Sequence, residues 1–163
     1  MKGGDAMTRE ECAGRRAVVT GATGIAAATA RQLAASGWRV FVVSIDPDEC
    51  AQLGVELGAS SAGLRVADLR VESDVVSAFD DAVESMGGID GVVAVAGGSA
   101  RRFGDGWLHE MTLDAWDAAI RLNLTTTFLT AREAVRRMRG HGGSIVLTSS
   151  VLATSPQPES FAT

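Results

Sequence analysis

A chain of 163 residues with 46% hydrophobic side chains carries enough apolar mass for one compact core, which excludes disorder as a whole-chain state. Its 15 basic and 20 acidic side chains leave a net charge of −5, which gives no broad attraction to phosphate backbones or anionic lipid, so no nucleic-acid partner is expected. Cys12 and Cys50 lie far apart, and His109 and His141 complete no ligand cluster, so no metal is expected and a reducing, cytoplasmic setting is. No stretch is long and apolar enough to span a membrane.

Residues 1–15 hold no apolar run and an early acid, Asp5, and read as an irregular lead-in rather than a signal peptide. Residues 16–163 are the expected domain, in which short β-rich runs alternate with segments whose apolar residues recur three or four positions apart. The first run, Ala17-Val18-Val19, ends in Thr20-Gly21-Ala22-Thr23-Gly24. Ile25, Ala28, Thr29 and Leu33 then mark one predicted helical face, and Gly37 a stop. The second run, Val40-Phe41-Val42-Val43, leads to Asp46-Pro47 and a helix to about Leu57, with the proline in its first turn. A third strand around Leu64 to Ala67 ends at Asp68. The helix after it places Val75, Phe79, Val83 and Met86 on one face and closes at Gly87-Gly88.

The fourth strand, Gly91 to Val95, runs into Ala96-Gly97-Gly98 and a polar loop from Ser99 to Gly106. Thr112 is a candidate N-cap for the longest helix, with a stripe of Leu113, Trp116, Ile120, Leu124, Phe128, Val135 and Met138. Arg132, Arg136, Arg137 and Arg139 suit its negative C-terminal end. A fifth strand, Ser144 to Thr148, leads to Ser149-Ser150 and a final stretch with Pro156 and Pro158 that reads as loop. Alternating strands and helices imply an α/β fold, a doubly wound parallel sheet in three layers with strand order 3-2-1-4-5.

The glycine turn after the first strand feeds a helix, and such a turn offers unpaired amides and a positive dipole end to a pyrophosphate; with only two glycines it reads equally as a tight strand-to-helix turn. Asp46 suits the hydroxyls of an adenosine ribose and, equally, the cap of the helix that begins at Pro47.

Thr20-Gly21-Ala22-Thr23-Gly24-Ile25 resembles the Thr-Gly-x-x-x-Gly-Ile-Gly turn of the short-chain dehydrogenase/reductase family, one residue shorter and with Ala26 for the last glycine. Asp68-Leu69 resembles that family's adenine-side acid, and Ala94-Val95-Ala96-Gly97 its Asn-Asn-Ala-Gly, with both asparagines replaced. Arg121-Leu122-Asn123-Leu124 is similar to its helix-borne asparagine segment, and Gly143 to Ser150 to the strand that delivers its serine. The resemblance covers about Arg16 to Ser150.

It implies an NAD(P)-dependent oxidoreductase that moves hydride between nicotinamide and a small carbonyl or alcohol substrate. Ser150 takes the serine role and Asn123 the asparagine role; Gly21, Thr23, Gly24, Ile25, Ser44, Asp46, Asp68, Leu69, Ala96 and Gly97 are the implied cofactor contacts. In the family an acid ending the second strand goes with NAD and an arginine just after it with NADP. Ser44 and Ile45 stand at those positions, and Asp46 leans towards NAD. Family members pair through their long helices, which implies a dimer or tetramer for a complete protein.

The family's Tyr-x-x-x-Lys has no counterpart, since the sequence contains no tyrosine and its only lysine is Lys2. The chain is therefore expected to be a front part of such a protein, inactive alone and prone to self-association through an open fifth strand. The alternative is a non-catalytic nucleotide-binding or scaffold protein that keeps the front half of the fold.

Overall fold

The structure, a computed structural model, describes residues 13–155. Strands β1 (Arg16–Thr20), β2 (Arg39–Ser44), β3 (Ser61–Val66), β4 (Gly91–Ala94) and β5 (Ser144–Leu147) form one parallel sheet in the order β3-β2-β1-β4-β5. Helices α1 (Gly24–Ala35) and α2 (Pro47–Leu57) cover one face. Helices α3 (Glu72–Met86) and α5 (Thr126–Met138) cover the other, and α4 (Leu113–Ile120) runs into α5.

Side chains alternate across a strand, so the valine-rich runs feed two cores at once. Val19, Val40 and Val42 pack with Ala26, Ala27 and Ala30 of α1 and Leu53 of α2. Val18, Phe41, Val43 and Val92 pack against Val75, Phe79 and Ala82 of α3 and Leu129 and Ala134 of α5. Strand order reverses direction at β1, between β2 and β4. That reversal opens a crevice at the carboxyl ends of the strands, where sheets of this kind hold ligands.

The predicted order, the strands and most helix signals match what is observed. Thr112 caps α4 by accepting from the Ala115 amide, and Gly87 ends α3 in the left-handed region. The third strand lies earlier than expected, beginning at Ser61, because Ala67 and Asp68 already belong to the turn into α3. The short turn Val151–Ala153 replaces the start of the expected closing loop. The expected lead-in up to residue 12, with Cys12, and the loop prolines Pro156 and Pro158 lie outside the described residues.

Two helical faces are corrected. In α1 the buried positions are Ala26, Ala27 and Ala30, whereas Ile25 is 65% exposed and Ala28 is exposed. Alanines let the helix approach the sheet closely, so small size outweighs hydrophobicity in choosing the inner face. In the long helix, Leu113, Leu124, Phe128 and Val135 are exposed and only Met138 of the expected stripe is buried. The inner face is Ala115, Ala119, Thr126, Leu129, Thr130, Glu133 and Ala134.

Buried Glu133 faces Arg136 at 2.7 Å and Arg132 at 3.3 Å. Arg132 and Arg137 reach across to Glu72 and Asp80 at 2.6 Å each, tying α5 to α3. The long helix is also not continuous. Arg121–Thr125 widen into a π-helical turn between α4 and α5, the kind of irregularity that often accompanies a functional side chain.

Candidate functional site

β1 ends at Thr20, whose fully buried hydroxyl oxygen accepts from the amides of Val95 and Ala96 at 3.0 and 3.1 Å. One side chain thus fixes the end of β1 against the segment leaving β4. Gly21 follows with φ +94, donating its amide to the Val43 carbonyl at 2.7 Å. A Cβ there would stand 3.1 Å from the Cβ of Ala26 and 3.8 Å from the Ala96 amide nitrogen, so the turn is closed to larger residues on both conformational and steric grounds.

The two helices that start at this crevice have opposite N-termini. Thr23 precedes α1 without making a side-chain cap, and the first turn of α1 holds no acid, so its orphan amides and positive dipole end face the crevice. In α2, Asp46 Oδ1 accepts from the Asp48 and Glu49 amides at 2.9 and 3.0 Å, and Asp48 and Glu49 place more carboxylates in the same turn. Of these two helices, α1 is the one whose first-turn amides no side chain caps.

At the end of β3, Asp68 receives Nε and Nη2 of Arg70 at 2.8 and 2.7 Å and the Arg70 amide at 3.0 Å. The Arg70 guanidinium holds the Asp68 carboxyl below the ordinary carboxylate range, and Arg70 is raised in return. The pair also fixes the turn that follows β3, since the Asp68 amide donates to Asp74 Oδ2 at 3.2 Å.

Across the crevice the π-helical turn presents Asn123. Its Oδ1 accepts from the Gly98 amide at 2.8 Å and its Nδ2 donates to the Gly98 carbonyl at 3.1 Å, so both functions of the amide lock onto one backbone unit. A Cβ on Gly97 would lie 2.7 Å from Asn123 Oδ1, which reserves that position for glycine. Ser150 stands at the end of the β5 segment, half-buried, with Oγ accepting from the Leu152 amide at 3.1 Å.

These groups line two cavities that meet at Ala96 and Gly97. The smaller, about 210 Å³, is bounded by Gly21, Thr23, Ser44, Asp68, Leu69 and Arg102 among others. The larger, about 630 Å³, is bounded by Ile25, Gly98, Asn123, Leu147, Ser149 and Ser150 among others. Together they form one trough along the carboxyl ends of the strands.

The sequence profile of the family described as short chain dehydrogenase matches residues 15–162. The chain belongs to that family. It is 37% identical over 155 residues to the cis-4-hydroxycyclohexanecarboxylate dehydrogenase of Sinomonas cyclohexanicum, covering 93% of this chain and 61% of the relative. It is 38% identical over 141 residues to the short chain dehydrogenase mdpC of Emericella nidulans, covering 83% of this chain and 51% of the relative. A solved short-chain type dehydrogenase/reductase from Mycobacterium ulcerans superposes with a TM-score of 0.78 at 33% identity, over 86% of this chain and 52% of that one. The chain therefore spans between half and three-fifths of the length of these relatives.

Within this short-chain dehydrogenase fold, the positions picked out by sequence fall unevenly. Gly21, Thr23, Ser44, Asp68, Leu69, Ala96 and Gly97 line the smaller cavity; Ile25, Asn123 and Ser150, with Ala96 and Gly97, line the larger. Gly24 instead opens the groove between α1 and α2, and Asp46 lies on none of these walls because its carboxylate is turned to the start of α2. Sequence reasoning missed Thr20 as a tie, Arg70 as the partner of Asp68, and Arg102 and Glu49 as cavity walls. Only Glu49 had a signal: it stands three residues after an N-cap acid, the spacing of a capping box, which draws attention to the helix rather than to the crevice.

Proposed function

We propose that this chain forms the dinucleotide-binding part of an NAD(P)-dependent short-chain oxidoreductase acting on a small carbonyl or alcohol substrate. The observation that carries the reading is the trough itself, in which the open N-terminus of α1, the Gly21 turn, the Asp68–Leu69 wall and Asn123 with Ser150 follow one another along the strand ends. The residues fit an extended dinucleotide. The uncapped amides at the start of α1 would hold its pyrophosphate, and Asp68, Leu69 and Leu122 would border its adenine.

The nicotinamide group supplies hydride chemistry when bound; the chain's own residues orient and exclude. Ala96 and Gly97 allow close backbone approach at the junction of the two cavities. Ser150 Oγ, as a hydroxyl, donates to a substrate oxygen while accepting from Leu152, and Asn123 holds the loop that carries Gly98. A general acid or base of the family's tyrosine type is absent from the 163 residues. The reading therefore has this chain binding dinucleotide without reducing carbonyls by itself, and self-associating through the exposed β5 edge, where Val146 and Leu147 lie open. It also keeps the cytoplasmic setting, with Cys50 as a free, buried thiol that burial pushes up.

The missing tyrosine favours a second reading, a nucleotide-binding protein without catalysis. Titration of NADH and NADPH by nicotinamide fluorescence, with a carbonyl-reduction assay, is run on this chain and on one extended through the codons that follow it. Binding by both chains with reduction only by the longer one supports the oxidoreductase; a native stop codon after Thr163 with binding intact supports the second reading. Absence of binding by either chain overturns both.

A further inference from the structure

We propose that Glu49, not Asp46, is the acid that reads the adenosine ribose, and that it makes the trough selective for NAD(H) over NADP(H). The proposal rests on the dinucleotide reading given above. It begins from the two jobs an acid after β2 can do, capping α2 or meeting the ribose hydroxyls. Asp46 does the first. Its Oδ1 takes both the Asp48 and the Glu49 amide, and its own amide reaches only Ser44 Oγ, at 3.5 Å.

A capping box would turn the Glu49 side chain back onto the Asp46 amide, and that bond is not made. Among the described residues no donor pairs with the Glu49 carboxylate, which is half-buried. It borders the smaller cavity beside Thr23, Ser44 and Ile45, and also the groove between α1 and α2 beside Thr23 and Gly24. A carboxylate shared by those two spaces stands where the ribose leaves the pyrophosphate turn. It accepts from the vicinal hydroxyls of NAD(H).

The same position penalises a 2′-phosphate. That phosphate would enter a groove bordered by Glu49 and Glu56, where Arg31, the one cation among the described lining residues, is already held by Glu56 at 2.6 Å. Arg70 is committed to Asp68 through two nitrogens, and Arg102 borders the smaller cavity but not the groove.

The test is a fluorescence titration of NADH and NADPH into the wild-type chain, Glu49→Gln and Asp46→Asn, with displacement by 5′-AMP and by 2′,5′-ADP as a readout independent of turnover. Wild type is expected to bind NADH at least about ten-fold more tightly than NADPH, the scale of one charge-assisted hydrogen bond. Glu49→Gln is expected to bring the two within about three-fold, mainly through tighter NADPH, and 2′,5′-ADP should gain on 5′-AMP in parallel. Asp46→Asn should lower the melting temperature and leave the ratio unchanged. A ratio that survives Glu49→Gln, a ratio that collapses in Asp46→Asn, or a wild type that prefers NADPH overturns the proposal while leaving the dinucleotide reading intact. A wild type that binds neither dinucleotide overturns the reading itself, and the proposal with it.

Discussion

At the end of the trough proposed for the adenosine, neighbouring walls are tied together: β1 to the segment after β4 through Thr20, the end of β3 to its own turn through Asp68 and Arg70, the start of α2 through Asp46. At the other end the cavity is about 630 Å³ instead of about 210 Å³, and its outer strand, β5, leaves Val146 and Leu147 open where the valines of β1 and β2 are fully buried. The contrast separates two tasks. Holding a dinucleotide needs preformed donors and close backbone approach, and both are built into the strand ends. Chemistry needs a positioned proton donor, and among the described residues the larger cavity is lined by amides and hydroxyls, Asn123 and Ser150 among them, with no carboxylate, imidazole or phenol.

If the first end is preorganised by buried bonds, breaking one of them should cost most. Thr20→Val keeps the shape of the side chain and leaves the Val95 and Ala96 amides without their acceptor. The expected loss is about 2–4 kcal/mol in urea denaturation, one desolvation penalty for each orphaned donor, with dinucleotide affinity falling in step. A loss below about 0.5 kcal/mol would mean that the amides find other partners and that the tie is not what shapes this end.

Gly97→Ala tests the junction between the two ends. The added Cβ would meet Asn123 Oδ1 at 2.7 Å, so either the Gly98–Asn123 pair opens or the π-helical turn shifts. Overpacking of this kind costs about 1–3 kcal/mol. It should weaken NADH binding as well, and Asn123→Ala in the same background should add little further loss, because the pair is already broken. Full additivity of the two substitutions would show that the clash is relieved elsewhere.

The pH response sharpens the comparison, because the adenosine end carries a depressed carboxylate and the other end has none that is shifted. Arg70 lowers Asp68 from its ordinary value near about 3.9, so the stability contributed by the pair is fully present above that value and is lost as pH falls through the lower folded value. Asp90, lowered by Arg16 at the opposite end of the sheet, behaves alike and serves as an internal reference. Denaturation of wild type and Asp68→Asn should differ by a constant amount above about pH 5, and the two should converge only as pH falls below the lowered folded value. Convergence already near neutrality would contradict the depressed carboxylate.

The fold was largely legible in the sequence because a parallel sheet covered on both faces writes itself as unbroken valine runs, and glycines mark where each strand turns. The helical faces were less legible. In α1 the residues that touch the sheet are alanines, and in the long helix alanines and threonines share the inner face with Leu129, Glu133 and Met138, while the larger Ile25, Leu124 and Phe128 point away, so a reading by hydrophobicity selects the wrong side. In the site, residues picked out by local motifs, such as Gly21, Asp68 and Asn123, fall on the walls of the trough. Thr20, Arg70 and Glu49 were not picked out, since what they do depends on partners across the crevice or on a cap that a neighbour has already filled.

The smallest expected effect on stability belongs to Ser150, and it separates the two ends most cleanly. Its hydroxyl caps a three-residue turn at the half-buried end of β5, so Ser150→Ala should cost no more than about 0.5–1 kcal/mol, the lower part of the range for a lost cap. NADH affinity should hold, since the adenosine end contributes none of its bonds to this serine. In a longer protein that supplies the family's tyrosine, the same substitution should lower kcat by at least about a hundred-fold while dinucleotide affinity stays fixed, the signature of a group that acts on the reacting oxygen rather than on binding. An equal fall in affinity and kcat would instead make Ser150 a structural cap, and the larger cavity would then need another donor for the substrate oxygen.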